Sequence, residues 1–207
     1  MGSLFAKGRD VREVAQAASK VLGRGGIIVY PTETIYGLGA DPFNPDAMAR
    51  LYKLKGRDKG KQVSIAIGDA KQIERYAEVC EVCRRLIDRF LPGPLTLVLP
   101  TKDPRLRGIG DTIGIRVPQN AQALEITRAF GPITSTSANI SGAQTPGDVG
   151  EIRRMFGDGV ELYIEAHEPF AGTPSTVLEC IGGKIRLLRD GAISRQEIEK
   201  AGVKVDG

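Results

Sequence analysis

The sequence has no tryptophan, a single histidine and three cysteines, and aromatic residues make up only 5% of its 207 positions. Each scarcity closes off a class of protein. One imidazole, His167, is too few for a zinc hydrolase, and no G-x-S-x-G elbow accompanies it to suggest a Ser-His-Asp hydrolase. Cys80, Cys83 and Cys180 cannot build a disulfide framework. Cys80 and Cys83 form a C-x-x-C, whose plain reading is two helix residues one turn apart; a structural zinc site would have only Cys180 and His167 to complete it. No apolar run reaches the roughly 18 residues of a transmembrane helix, and Met1 to Asp10 lacks the apolar core of a signal peptide. The expectation is a soluble, cytoplasmic protein without membrane contact. The Walker A pattern is also missing: Gly56 to Gly60 is one residue short of its spacing, and Gln62 follows Lys61. No G-x-G-x-x-G follows the first strand.

What the chain does have is aliphatic. Apolar residues make up 41%, enough for a core in one domain over residues 1–207. The net charge of +4 says little by itself, but Lys55 to Lys61 packs four cations and two glycines into seven residues. Such a stretch suits a polyanion, either nucleotide phosphates or a nucleic-acid backbone.

Periodicity predicts alternating helices and strands. Asp10 and Glu13 open a helix whose apolar face runs from Val11 to Leu22, and Ile27 to Tyr30 follows as a buried strand. Asn44-Pro45 opens a second helix that ends near Gly56. Strands are expected at 63–67, 95–99, 112–117, 133–137, 160–164, 175–180 and 184–188, and helices at 120–130, from Asp148 to Phe156, and after Ser194. Residues 69–90 read as one helix or two, broken near Cys80. Gly182-Gly183 is a two-residue hairpin signal. Alternation combined with a hairpin points to an α/β (α+β mixed) fold: a twisted, mostly mixed or antiparallel sheet flanked by helices.

Polar residues gather at strand ends. Thr32, Glu33 and Thr34, two hydroxyls and a carboxylate, follow the first strand like a site, Ser135, Ser137 and Asn139 recur with period two, and Thr112 and Arg116 fall on one face of their strand. An arginine inside an apolar strand needs an anionic partner, either a carboxylate of this chain or one on a ligand.

The segments "GGIIVYPTETIYGLGADP", "KLKGRD", "PGPLTLVLP", "IGIRVP", "TSTSANISG", "STVLE" and "LLRDGAI" occur in this order between about residues 10 and 195. Together they resemble the YrdC-like family of threonylcarbamoyl-AMP synthases, in its single-domain form. The resemblance implies a twisted mixed sheet with a concave basic face. It also implies a nucleotidyltransferase that makes threonylcarbamoyl-AMP and pyrophosphate from L-threonine, bicarbonate and ATP, with magnesium accompanying ATP. The product serves N6-threonylcarbamoyladenosine modification of tRNA, which brings in a tRNA threonylcarbamoyl-transfer complex as partner and contact of the basic face with tRNA or double-stranded RNA.

Carried over motif by motif, Lys55, Arg57, Ser137 and Asn139 are the implied catalytic and nucleotide set. Lys61, Thr112, Thr145 and Arg189 are further ATP contacts. Thr32, Thr34, Arg116, Ser135 and Ser175 form the threonine side, and no residue is implied as a metal ligand. Many members read K-G-R-P-x-x-N-P-L with a histidine five residues after the asparagine. Here Asp58, Lys61, Gln62 and Ala66 stand at the altered positions. That loop keeps a paralogue adenylating another carbamate open as an alternative, beside a non-catalytic RNA-binding module.

Overall fold

The computed structural model describes residues 3–5, 8–57 and 63–206. Its strands are β1 (Ser3–Phe5), β2 (Ile28–Tyr30), β3 (Gly37–Gly39), β4 (Ser64–Ala66), β5 (Leu95–Pro100), β6 (Thr112–Arg116), β7 (Ile133–Ser137), β8 (Leu162–Ile164), β9 (Thr176–Ile181) and β10 (Lys184–Arg189). The helices are α1 (Val11–Leu22), α2 (Pro45–Lys55), α3 (Ile73–Tyr76), α4 (Glu81–Phe90), α5 (Ala121–Phe130), α6 (Val149–Phe156) and α7 (Arg195–Lys200). The strands form one ten-stranded sheet in the order β1-β8-β2-β3-β7-β4-β6-β5-β9-β10. Parallel pairings (β1 with β8, β2 with β8, β4 with β6, β5 with β9) mix with antiparallel ones, as expected for this pattern. No helix among the described residues is long and apolar enough to cross a membrane.

Local chemistry sets the element ends. The Asp10 carboxylate accepts from the amides of Arg12 and Glu13 at the start of α1, and Asn44 caps α2 with Pro45 in its first turn. Gly56 stops α2 in the left-handed region at φ 56°. Gly182 and Gly183 take φ values of 58° and 77°, as a tight hairpin between β9 and β10 demands. The 69–90 segment breaks near Cys80 as anticipated: Ala77 bridges to Thr101, and α4 starts afresh from Cys80.

The core is divided by the sheet. Alternate residues of β2 point to opposite faces. Ile28 and Tyr30 join α1 and α5 through Val14, Leu22 and Ile126, whereas Val29 joins α2 and α6 through Leu51 and Ile152. A third cluster packs α4 and α7 against β5, β6, β9 and β10.

β3 was not expected, because Gly-Leu-Gly has little strand propensity. Packing explains it. A Cβ at Gly37 would lie 3.0 Å from Cζ of Tyr30, and one at Gly39 would lie 2.9 Å from Cγ1 of Ile28. These glycines make room for the Tyr30 ring, which is fully buried.

Candidate active site

A polar pocket of about 140 Å³ crosses the middle of the sheet. Its wall draws on Gly37 of β3, Ser64 of β4, Thr96 of β5, Arg116 of β6, Ser135, Thr136 and Ser137 of β7, and Arg189 of β10, with Arg57 entering from just beyond α2. Three guanidiniums, those of Arg57, Arg116 and Arg189, therefore share one cavity. Among the described residues, none that lines it carries a carboxylate.

Arg116 is held by the turn after β2. Its Nη2 donates to Oγ1 of Thr34 at 2.9 Å and lies 2.8 Å from Oε1 of Glu33. Thr32 donates its hydroxyl proton to the carbonyl of Ile35 at 2.6 Å. The 2.8 Å bond between the two threonine hydroxyls must then run from Thr34 to Thr32. That leaves Thr34 as an acceptor for Arg116, so a directional chain of hydrogen bonds aims the guanidinium. Thr34 is buried behind Arg116 and is not part of the pocket wall, whereas Thr32 is. Nε of Arg116 is buried without a hydrogen-bond partner. The question the sequence left open has a two-part answer: this chain supplies one carboxylate, from Glu33, and one donor edge still lacks an acceptor.

The opposite wall is built from hydroxyls and two arginines. Arg189 donates through Nε and Nη2 to the Ser175 carbonyl, at 3.1 and 2.8 Å, and through Nη2 to Oγ of Ser175 at 3.1 Å. Burial, then repulsion from Arg116, holds its guanidinium below the ordinary value. Ser175 also bonds the Thr96 hydroxyl at 2.9 Å. A Cβ at Gly191 would lie 2.4 Å from the Ser175 carbonyl carbon, so only glycine lets the chain after β10 pass this closely. Nη1 of Arg57 donates to Oγ1 of Thr136 at 3.4 Å.

Lys55 is placed differently from its expected phosphate contact. It is 2% exposed, is not part of the pocket wall, and donates to the main-chain carbonyls of Ser137 and Asn139. Burial, aided by the nearby Arg57 charge, pushes its amine down to about 8. Its own carbonyl accepts from the amide of Ser141. Lys55 thus staples the Ser137–Ser141 turn to the end of α2. Asn139 continues that work, with Nδ2 donating to the carbonyls of Ile140 and Ala143 and Oδ1 accepting from Thr145 at 3.3 Å. Asn139 and Thr145 shape the loop beside the pocket without lining it. Thr112 begins β6, four residues and roughly 13 Å from Arg116 on the same face. Lys61, Asp58 and Gln62 lie outside the described residues. Ala66 is fully buried in the core with Tyr30 and Ile126.

Thr96 and Ser64 escaped the sequence reading, although a hydroxyl inside an apolar strand was the available signal. Glu33 stood out with Thr32 and Thr34 as a site-like cluster, but only the fold shows that its carboxylate is the one beside Arg116.

Known proteins share the sequence pattern and the fold. The family model named for Sua5, YciO and YrdC, described as "Telomere recombination", matches residues 20–191. A putative threonylcarbamoyl-AMP synthase of Methanocaldococcus jannaschii is 35% identical over 191 residues, 91% of each chain. The threonylcarbamoyl-AMP synthase of Bacillus subtilis is 35% identical over 193 residues, which is 90% of this chain and 56% of that one. The crystal structure of P. abyssi Sua5 complexed with L-threonine superposes with a TM-score of 0.89 at 32% identity, over 100% of this chain and 62% of that one. E. coli YciO gives 0.85 at 28% identity, covering 96% of this chain and 100% of the other. The chain therefore matches shorter relatives nearly end to end and spans little more than half of the longer ones. With a family model over residues 20–191 and relatives 35% identical over nine-tenths of its length, this chain belongs to the Sua5/YciO/YrdC family.

Proposed function

We propose that the chain is an L-threonylcarbamoyladenylate synthase, joining L-threonine, bicarbonate and ATP into threonylcarbamoyl-AMP and releasing pyrophosphate. The observation that carries this reading is the convergence of Arg57, Ser137 and Arg116, from three separate elements, on one cavity that Arg189 also lines and whose wall, among the described residues, holds no carboxylate. Relatives named for this activity, and one solved with L-threonine, support it.

Arg116 takes the amino acid's carboxylate. Its Nε has no acceptor and Nη2 beside it holds Glu33, so a substrate carboxylate that displaces Glu33 would meet a two-pronged edge. Ser135 and Thr32 border that end with hydroxyls, and Ser175 lies between it and Arg189. Arg57 and Arg189 face the phosphates. The cavity is smaller than the few hundred Å³ of a typical ligand pocket, so it encloses the reacting ends, and the nucleoside extends past the loop shaped by Asn139 and Thr145. Lys55 acts by holding that loop, and Lys61 is a further cation for the phosphates.

The chemistry asks little covalent help from the protein. The threonine amine attacks carbon dioxide or bicarbonate, one oxygen of the resulting carbamate attacks the α-phosphorus, and pyrophosphate leaves in line. Holding three reactants in register supplies effective molarity, and fixed guanidiniums stabilise charge as the phosphoryl group transfers. The wall offers hydroxyls and guanidiniums, and no group of three potential metal ligands is found among the described residues. That donor set does not fit a protein-held Mg²⁺, so magnesium enters with ATP and its water.

The product would pass to a tRNA threonylcarbamoyl-transfer complex in the cytoplasm, with tRNA or double-stranded RNA meeting the cationic face around Arg57. A paralogue that adenylates a different carbamate rests on Ala66 and its altered loop. Mass spectrometry of the product formed from ATP, bicarbonate and L-threonine tests the main reading. A threonylcarbamoyl-AMP peak that disappears with any one component omitted supports it, and a carbamoyl adenylate formed from another amine in preference to threonine supports the paralogue.

A further inference from the structure

Cys80, Cys83 and Cys180 lie outside the pocket wall, yet the fold brings the three thiols together at the edge of the largest core cluster. Cys80 is the N-cap of α4, and its sulfur accepts from the amide of Cys83 at 3.4 Å. The Cys80 and Cys83 sulfurs are hydrogen-bonded at 2.7 Å. Cys180, on β9, is almost fully buried, Cys83 is fully buried, and Cys80 is half-buried at the surface. All three are free thiols. The Cys83 thiol is held below its ordinary value, first by its hydrogen bond with Cys180 and, against burial, by one with Cys80. Cys180 is pushed up, chiefly by the same bond, and Cys80 is raised chiefly by burial. Cys83 is therefore the thiol of the trio that its surroundings favour as a thiolate, in the first turn of a ten-residue helix. No group of three His, Cys, Asp or Glu among the described residues is arranged to hold a metal ion.

We propose that Cys80 and Cys83 form a reversible dithiol–disulfide pair that takes a low-molecular-weight disulfide as its oxidant, with Cys180 as the hydrogen-bond donor that readies Cys83. The exposed edge of Cys80 gives the oxidant its only way in. Cys80 first gives its proton to solvent; its thiolate attacks R–S–S–R, giving Cys80–S–S–R and RS⁻, which solvent protonates to RSH. The Cys83 thiolate then attacks the Cys80 sulfur, closing Cys80–S–S–Cys83 and expelling the second RS⁻, which is protonated by solvent. Two cysteine sulfurs lose two electrons, and the oxidant leaves as two thiols. Two free thiols in contact one helical turn apart are the arrangement such an exchange needs, and it is independent of the adenylation reading.

The test incubates the intact chain with oxidised glutathione, quenches by alkylation and maps the peptides by mass spectrometry. The proposal expects one bridge, Cys80 to Cys83, reversed by dithiothreitol, with Cys180 alkylated only after denaturation. Cys83→Ser should stop at a stable glutathione adduct on Cys80. Cys80→Ser, at the half-exposed position, should take up no glutathione. Cys180→Ala should slow bridge closure by roughly an order of magnitude. Unmodified Cys80 in the wild type, a bridge to Cys180, or stoichiometric zinc that blocks alkylation of the reduced protein would each overturn it.

Discussion

Oε1 of Glu33 lies 2.8 Å from Nη2 of Arg116, in a pair whose side chains are 18% and 6% exposed. The arginine that would receive the substrate carboxylate already carries an internal one, so threonine must share or displace it. Replacing Arg116 by Gln is expected to raise the threonine KM by about tenfold or more, roughly the 1.4 kcal/mol lost with one charge-assisted bond, with the ATP KM little changed. Steady-state kinetics with each substrate varied checks this, and an equal rise in both constants contradicts it. Glu33→Gln removes the competitor and should lower the threonine KM several-fold. A raised KM would mean that Glu33 contacts the substrate itself.

Thr34 tests the relay behind Arg116. Thr34→Val deletes the acceptor for Nη2 and the donor to Thr32 at a buried site. The expected loss in kcat/KM for threonine is about tenfold, within the 1–3 kcal/mol of an unsatisfied buried group, and Thr34→Ser should restore most of it. A valine variant with wild-type threonine kinetics would show that the chain of hydroxyls does not aim the arginine.

Lys55 gives a stability signature with a definite sign. Its amine titrates near 8 in the folded chain, against about 10.4 when unfolded. Between those values the unfolded state binds more protons, so stability rises with pH relative to a chain lacking the amine. Urea unfolding of wild type and Lys55→Met should diverge in favour of wild type by about 1 kcal/mol per pH unit from pH 8 to 10. A flat difference across that range contradicts the burial of a charged amine.

Gly191 supports the Ser175 side of the pocket by close backbone passage. A Cβ there would stand 2.4 Å from both the Ser175 carbonyl carbon and the Thr176 nitrogen. Gly191→Ala should cost about 1–3 kcal/mol, seen as a lowered melting temperature, together with weaker ATP binding as Arg189 loses its seat on Ser175. An alanine variant of unchanged melting temperature would contradict this packing.

The helices were legible in the sequence because their caps are local: Asp10, Asn44 and Ser194 each accept from amides two or three residues on. β3 was not, because its strand character comes from pairing with β2 and β7 and from the space its glycines leave for Tyr30. The site shows the same division. Arg57, Arg116, Ser135, Ser137, Ser175 and Arg189, named from motifs, reach one cavity. Lys55 was identified as important, but its amine bonds carbonyls of a turn 82 and 84 residues away, a partnership no local pattern announces. Glu33 was visible beside Thr32 and Thr34, but its pairing with Arg116 was not, since that partner lies on another strand.

The most direct test of the central claim is pyrophosphate release by the purified chain with ATP, bicarbonate and L-threonine supplied together and each omitted in turn. Release that needs all three, and that falls to background in Arg57→Ala, is the predicted result. Release that proceeds without threonine, or full activity in Arg57→Ala, would contradict it.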